Sequence, residues 1–151
     1  MNSISSSKSI NLSGNLSVPG DKSISHRSLI IGSLVSGRIE INNLLESEDV
    51  IATAEALKIL GVKINKLNDK WEVFGGGIGN FFGSNYTLNM GNSGTGARLL
   101  MGLVAGSDVE ATFIGDESLS KRPMKRVIIP LKKTGAVIKG RTSNLPIKIQ
   151  G

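Results

Sequence analysis

At 151 residues the chain is long enough for one domain with a substantial core. It has no cysteine and a single histidine, which excludes disulfides, thiolate metal sites and a histidine cluster, and no apolar run approaches the ~18–20 residues that span a bilayer. The net charge of +6 suits an anionic partner, either nucleic acid or a small polyanion, yet aromatics make up only 4% and the basic residues are scattered, unlike the stacking surfaces of nucleic-acid binders; an excess of solvated lysine accounts for the charge equally well.

The opening Met1–Lys8 is polar and serine-rich without the apolar segment of a secretory signal, so a cytoplasmic location is expected. The alternation in Asn15–Val18 predicts a strand. Pro19-Gly20-Asp21 then turns the chain into a helix over Ser23–Val35, with a capping residue at its start. Arg38–Asn42 reads as a strand and Glu48–Leu60 as a helix, with Glu48 and Asp49 as helix-start residues and Gly61 as the C-cap. Val62–Lys66 and Trp71–Phe74 form a hairpin around Asn68-Asp69, with Trp71 in the core. The glycines of Gly75–Gly79 and the stretch Gly83–Asn85 read as a connector; no Gly-Lys-Ser/Thr follows, so they do not form a phosphate-binding P-loop. The second half predicts strand Tyr86–Asn89, helix Ser93–Val104, strand Val109–Ile114, helix Met124–Thr134 and strands Ala136–Lys139 and Pro146–Ile149.

The chain is written twice at a period of roughly seventy residues. Gly20-Asp21-Lys22-Ser23-Ile24-Ser25-His26-Arg27 matches Gly91-Asn92-Ser93-Gly94-Thr95-Gly96-Ala97-Arg98, with Gly and Arg at corresponding places ahead of an apolar helix. Arg38-Ile39-Glu40-Ile41 matches Val109-Glu110-Ala111-Thr112, and Leu57–Ile64 matches Leu131–Ile138. The fold class is therefore α/β, built from repeated βαβαββ units at about 14–75 and 84–150. Two repeats bury a continuous core poorly, and the sequence stops in or just after a strand, so a longer parent is expected.

Three segments stand out as anion sites. Backbone N–H groups at a helix start lack intrahelical partners and carry partial positive charge. At the first corner Lys22 adds a compact charge, and Ser23 and Arg27, four residues apart, share a helix face, where the arginine fork can grip a carboxylate or phosphate. At the second, Gly91-Asn92-Ser93-Gly94-Thr95-Gly96 lets the backbone approach a ligand closely. The third is Lys121-Arg122-Pro123-Met124-Lys125-Arg126, where Pro123 fits the first turn of the following helix. Arg122 would then stand at a helix start, a place unfavourable for a cation unless an anion shares it. The lone His26 reads as a surface or packing residue.

Pro19–Arg27, Gly91–Arg98 and Gly115-Asp116-Glu117-Ser118-Leu119-Ser120-Lys121-Arg122-Pro123-Met124 resemble three signatures of the 3-phosphoshikimate 1-carboxyvinyltransferase (EPSP synthase) family, in the right order and at plausible separations. The resemblance implies a fold of two domains, each of three βαβαββ units, of which this chain carries two in one domain; the remaining unit and the second domain would be absent. It implies transfer of the enolpyruvyl group of phosphoenolpyruvate to the 5-hydroxyl of shikimate 3-phosphate with release of phosphate, in the shikimate pathway, without metal or organic cofactor. It places Lys22, Ser23 and Arg27 on shikimate 3-phosphate and Lys22, Gly94, Arg122 and Asn92 on phosphoenolpyruvate. The family's acid/base Asp and Glu fall outside this chain, so no residue here is assigned a catalytic role and the chain alone is expected to be inactive. The implied partners are these two anions, the inhibitor glyphosate at the Gly94 pocket, and the missing remainder of the protein, not nucleic acid or membrane. Two rival readings are a UDP-N-acetylglucosamine 1-carboxyvinyltransferase, whose lysine signature fits Asp21-Lys22-Ser23 less well, and a non-catalytic anion- or nucleic-acid-binding module.

Overall fold

A computed structural model describes residues 3–140 and 143–151; Met1 and Asn2 of the polar opening lie outside the described residues. The elements in order are α1 (Lys22–Leu34), β1 (Ser36–Asn42), α2 (Glu48–Ile59), β2 (Lys63–Leu67), β3 (Lys70–Gly76), β4 (Phe82–Asn89), α3 (Gly94–Ala105), β5 (Asp108–Ile114), α4 (Glu117–Lys121), α5 (Lys125–Lys133), β6 (Val137–Gly140) and β7 (Ile147–Gln150), with a 3₁₀ turn at Ile78–Asn80. The fold is α/β, with helices packed on two sheets.

The first sheet is antiparallel in the order β1-β3-β2, and the second is mixed in the order β4-β5-β7-β6. In the second, β4 runs parallel to β5 through the α3 crossover, and the remaining neighbours are antiparallel. The trio β5-β7-β6 thus has the same order and sense as β1-β3-β2. Helix α1 packs on β3 and α2, α2 on α3 and β4, and α3 on β5 and β7. Between these layers Leu29, Val50, Ala54, Leu57, Val73, Leu88, Ala97, Leu100, Met101, Phe113, Ile147 and Ile149 are fully buried. Their burial is the main favourable term holding the layers together, at roughly 25 cal/mol per Å² of apolar surface. Trp71 is buried as expected, with its indole N–H donating to Glu46 Oε1 at 2.9 Å. No helix among the described residues is long and apolar enough to cross a membrane.

Three expectations need correction. Asn15–Val18 is not a strand: the segment pairs with no sheet, and Leu16 and Val18 are exposed at 86% and 66%. Alternation makes a strand only where an edge is available and used. Here β1 keeps its outer edge unpaired among the described residues, whereas its counterpart β5 is covered by β4. The connector Gly75–Asn85 is largely regular: Gly75 and Gly76 finish β3 opposite Gly37 and Ser36, and β4 already begins at Phe82. The glycines sit in a strand because α1 ends against it; a Cβ on Gly75 would lie 2.1 Å from the Val35 carbonyl oxygen. Third, Glu117–Lys121 forms the short helix α4, and α5 starts only at Lys125, after Pro123 and the cap Met124.

Candidate functional site

The first corner is set by Asp21, the N-cap of α1, whose Oδ1 accepts from the Ile24 N–H at 2.8 Å. Ser25 anchors the same turn: its hydroxyl donates to the Asp21 carbonyl at 2.8 Å and accepts from the Leu45 N–H at 2.9 Å, fixing α1 against the link between β1 and α2. Lys22 is the first residue of the helix and pairs through Nζ with Oδ2 of Asp49, the second residue of α2. Ser23 and Arg27 are exposed beside it, and Arg27 Nη1 donates to the Ser23 carbonyl at 3.0 Å. The structure therefore brings Lys22, Ser23 and Arg27 together at one helix start. The arginine curls back toward the N-terminus by way of a carbonyl, which leaves the Ser23 hydroxyl available.

His26 lies one turn deeper and is fully buried, so the surface alternative for it is wrong. Its Nδ1 is 2.8 Å from the Thr53 hydroxyl on α2. Burial pushes the imidazole below its ordinary value, with the Asp49 carboxylate opposing and the Lys22 and Arg27 charges adding to the effect.

The second corner is built from glycine and borrowed cations. Ser93 caps α3 by accepting from the Gly96 N–H at 3.3 Å. Gly94, the first helical residue, is buried, and a Cβ there would lie 2.9 Å from Nη1 of Arg122 and 3.0 Å from Nη1 of Arg98. Arg122 Nη2 donates to Asn92 Oδ1, and Asn92 Nδ2 donates to Asp116 Oδ2 at 2.6 Å. Asp116 is itself fixed: it caps α4 by accepting from the Leu119 N–H at 2.7 Å, and its own N–H donates to the Gly91 carbonyl at 2.9 Å. The Leu119 N–H, and then the Asn92 amide, hold the Asp116 carboxyl below the usual carboxylate range. A chain Asp116–Asn92–Arg122 thus holds the guanidinium against the start of α3. Gly94, Asn92 and Arg122 are brought together as expected.

The expectation that Arg122 stands at a helix start is overturned. It caps the C-terminus of α4, where a cation is electrostatically acceptable. The need for an anion comes instead from its neighbours. Arg98 donates to the Gly94 carbonyl at 3.1 Å and the Pro123 carbonyl at 3.5 Å, while its buried Nε has no partner. Burial, and then the charges of Arg126 and Arg122, disfavour its cationic form. Among the described residues none of Arg98, Arg122 and Arg126 pairs with a carboxylate. An oxyanion between the start of α3 and these guanidinium groups would relieve that repulsion and accept bidentate hydrogen bonds.

The two corners meet through α2. Lys22 and His26 reach Asp49 and Thr53, and Thr53 Oγ1 lies only 2.5 Å from where a Cβ on Gly96 would stand. The N-terminal halves of α1, α2 and α3 are therefore in contact through Thr53. Asp49, Thr53, Arg98 and Asp116 escaped the sequence reading as site residues. Arg98 had a signal, since it occupies the place of Arg27 in the repeat; Asp49 read as a cap, although Ser47 holds the N-cap of α2. No group of three or more His, Asp or Glu residues converges to hold a metal among the described residues. A groove of about 620 Å³ between α1 and β1 is largely apolar, lined by Ile24, Ile31, Val35 and Ile39, and meets the α1 corner at Arg27.

A sequence profile of the EPSP synthase (3-phosphoshikimate 1-carboxyvinyltransferase) family matches residues 7–151. The chain is 54% identical over 142 residues to the 3-phosphoshikimate 1-carboxyvinyltransferase of Parvibaculum lavamentivorans, covering 93% of this chain and 32% of the relative. It is 48% identical over 149 residues to that of Bartonella quintana, covering 98% of this chain and 34% of the relative. The solved EPSP synthase of Acinetobacter baumannii superposes with a TM-score of 0.84 at 40% identity, over 91% of this chain and 32% of that one. The chain thus spans about a third of the length of the curated relatives it matches. With its three signatures assembled around one helix junction, the chain belongs to the EPSP synthase family.

Proposed function

We propose that this chain supplies the anion-holding part of a cytoplasmic 3-phosphoshikimate 1-carboxyvinyltransferase. The supporting observation is the meeting of two cationic corners through α2. In this reading Lys22, Ser23 and Arg27 hold shikimate 3-phosphate, while Gly94, Arg122 and Asn92, with Lys22 shared, hold phosphoenolpyruvate. Both substrates are polyanions, so their mutual repulsion must be offset before the 5-hydroxyl oxygen and C2 of phosphoenolpyruvate approach, and fixed cations do this without reorganising during the reaction. Protonation at C3 of phosphoenolpyruvate makes C2 electrophilic. The 5-hydroxyl adds there with loss of its own proton to give a tetrahedral intermediate, and loss of phosphate together with a C3 proton restores the C2=C3 double bond as an enol ether.

Lys22 must exchange Asp49 for substrate oxygens when it binds, and the exposure of its own side chain leaves it free to turn. On this reading the chain by itself holds substrates without turnover. Calorimetric titration with shikimate 3-phosphate tests the reading: wild type binds saturably, and Arg27→Ala weakens binding by about tenfold or more, the scale of a charged hydrogen bond. Phosphate release from the two substrates at a rate normal for such an enzyme would refute the absence of turnover. Binding of any polyanion with one steep salt slope would instead favour a nucleic-acid-binding module.

A further inference from the structure

We propose that His26 is a positioning residue for the α1 corner: through its contact with Thr53 it fixes the rotation of α1 on α2 and so aims Ser23 and Arg27. The inference rests on the α1 corner being the seat of shikimate 3-phosphate.

The geometry is a pair of rungs. Lys22 and His26 are one turn apart on α1, and Asp49 and Thr53 are one turn apart on α2, so each pair lies on one helix face. The outer rung, Lys22–Asp49, is solvent-accessible, with the lysine side chain 48% exposed, and substrate binding must break it. The inner rung, His26–Thr53, has both residues at 0% exposure. It is therefore the contact that persists when Lys22 turns to substrate. Ser23 and Arg27 each follow a rung residue by one position, roughly 100° further around the helix, so a rotation of α1 displaces both together. Thr53 cannot drift either. Its hydroxyl occupies the space over Gly96, where an added Cβ would stand 2.5 Å from Thr53 Oγ1 and 2.6 Å from Ser93 Oγ.

Proton placement makes the rung sensitive to acid. The Thr53 hydroxyl lies 3.4 Å from the Asp49 carbonyl; with the hydroxyl donating there, its oxygen accepts from Nδ1–H of His26, which is the tautomer the proposal assigns. Nε2 is then a bare lone pair in a buried site without a partner. A second proton would create an N–H with no acceptor and would add charge beside Lys22 and Arg27 of α1, opposed by Asp49 of α2.

The test compares wild type, His26→Asn and His26→Gln in titrations with shikimate 3-phosphate from about pH 8 to pH 5.5, each at a temperature where the variant is folded. The asparagine amide nitrogen falls where Nδ1 was and can still donate to Thr53; the glutamine amide reaches instead to the Nε2 position. The expected result is that His26→Asn binds within about threefold of wild type and loses the fall in affinity on acidification, while His26→Gln is weakened about tenfold at every pH. Long-range nitrogen–proton spectra of the wild-type imidazole are expected to show the Nδ1–H tautomer. Equal weakening in the two variants, losses that merely follow Tm, or an Nε2–H tautomer would overturn the proposal. If His26→Gln does not fold, Thr53→Ser against Thr53→Val sets the same contrast of hydroxyl kept against hydroxyl lost. A wild-type chain with no affinity for shikimate 3-phosphate fails the proposed function instead. The positioning claim is then decided without ligand: the Ser23 amide and Arg27 Nε resonances shift in Thr53→Val and not in Thr53→Ser if it holds, and shift alike in both if it does not.

Discussion

The starts of α1 and α3 occupy matching places in the two halves of the chain, yet they are built from opposite materials. The α1 start is exposed and self-balanced: a carboxylate caps it, and its lysine is paired with Asp49. The α3 start is buried and unbalanced: a serine caps it, glycine lines it, and the cations come from Arg98 in its second turn and Arg122 after α4. An ion pair with an exposed lysine can be exchanged for ligand, whereas clustered guanidinium groups with no carboxylate in direct contact among the described residues repel one another, a repulsion an anion would offset. On the proposed reading the first corner is a place of exchange and the second a preformed receptor. The sheets differ in parallel, since β5 is covered by β4 while β1 keeps a free edge among the described residues.

The largest way to break this comparison is Arg122→Ala. If the α3 corner is the preformed receptor, the variant should lose about 2–3 kcal/mol of phosphoenolpyruvate binding, roughly 30- to 150-fold, measured by titration in the presence of shikimate 3-phosphate. An unchanged affinity would mean that the arginine only braces the loop. Gly94→Ala comes next. Its methyl meets Nη1 of both Arg122 and Arg98, flexible ends that must retreat from the anion. In a full-length parent we expect about tenfold lower affinity for phosphoenolpyruvate, and glyphosate inhibition weaker than in the Gly94 enzyme. Equal inhibition constants would contradict this.

Gly96→Ala addresses the junction rather than either corner. The new methyl meets Thr53 and Ser93 in a packed core, so a loss of about 1–3 kcal/mol is expected in denaturant unfolding. The smallest effect is in the pH dependence. Burial lowers the folded His26 pKa below 6.5. Above that value the ring is neutral in both states and contributes nothing; below it the unfolded chain takes up a proton that the folded chain refuses. Stability therefore falls as pH drops, until the folded value is reached. The difference in unfolding free energy between wild type and His26→Asn should shrink with that fall, and a pH-independent difference would show that the ring is not the source.

Much of this was legible in the sequence because the information is local. A Pro-Gly-Asp cap, a Gly-rich turn before an apolar run and a hairpin turn at Asn68-Asp69 all act within a few residues, and the two halves corroborate each other. The parts that were not legible depend on distant partners. Asn15–Val18 has the alternation of a strand but takes no edge, and nothing local shows that. Five-residue α4 is too short for periodicity, although Asp116 followed by Glu117 was a start signal; missing it put Arg122 at the wrong end of a helix. Lys22–Asp49 and His26–Thr53 each join positions 27 apart, so an ordinary cap and a packing histidine were the fair local readings of residues that brace the site.

The central claim is that the α1 corner is a specific seat for shikimate 3-phosphate. Titrating wild type and Arg27→Ala with that compound at two salt concentrations tests it most directly. The account predicts one saturable site in wild type with shallow salt dependence, and about tenfold or weaker binding in the variant. Indistinguishable affinities for the two proteins, or a wild-type affinity shared by unrelated polyanions and lost steeply with salt, would contradict it.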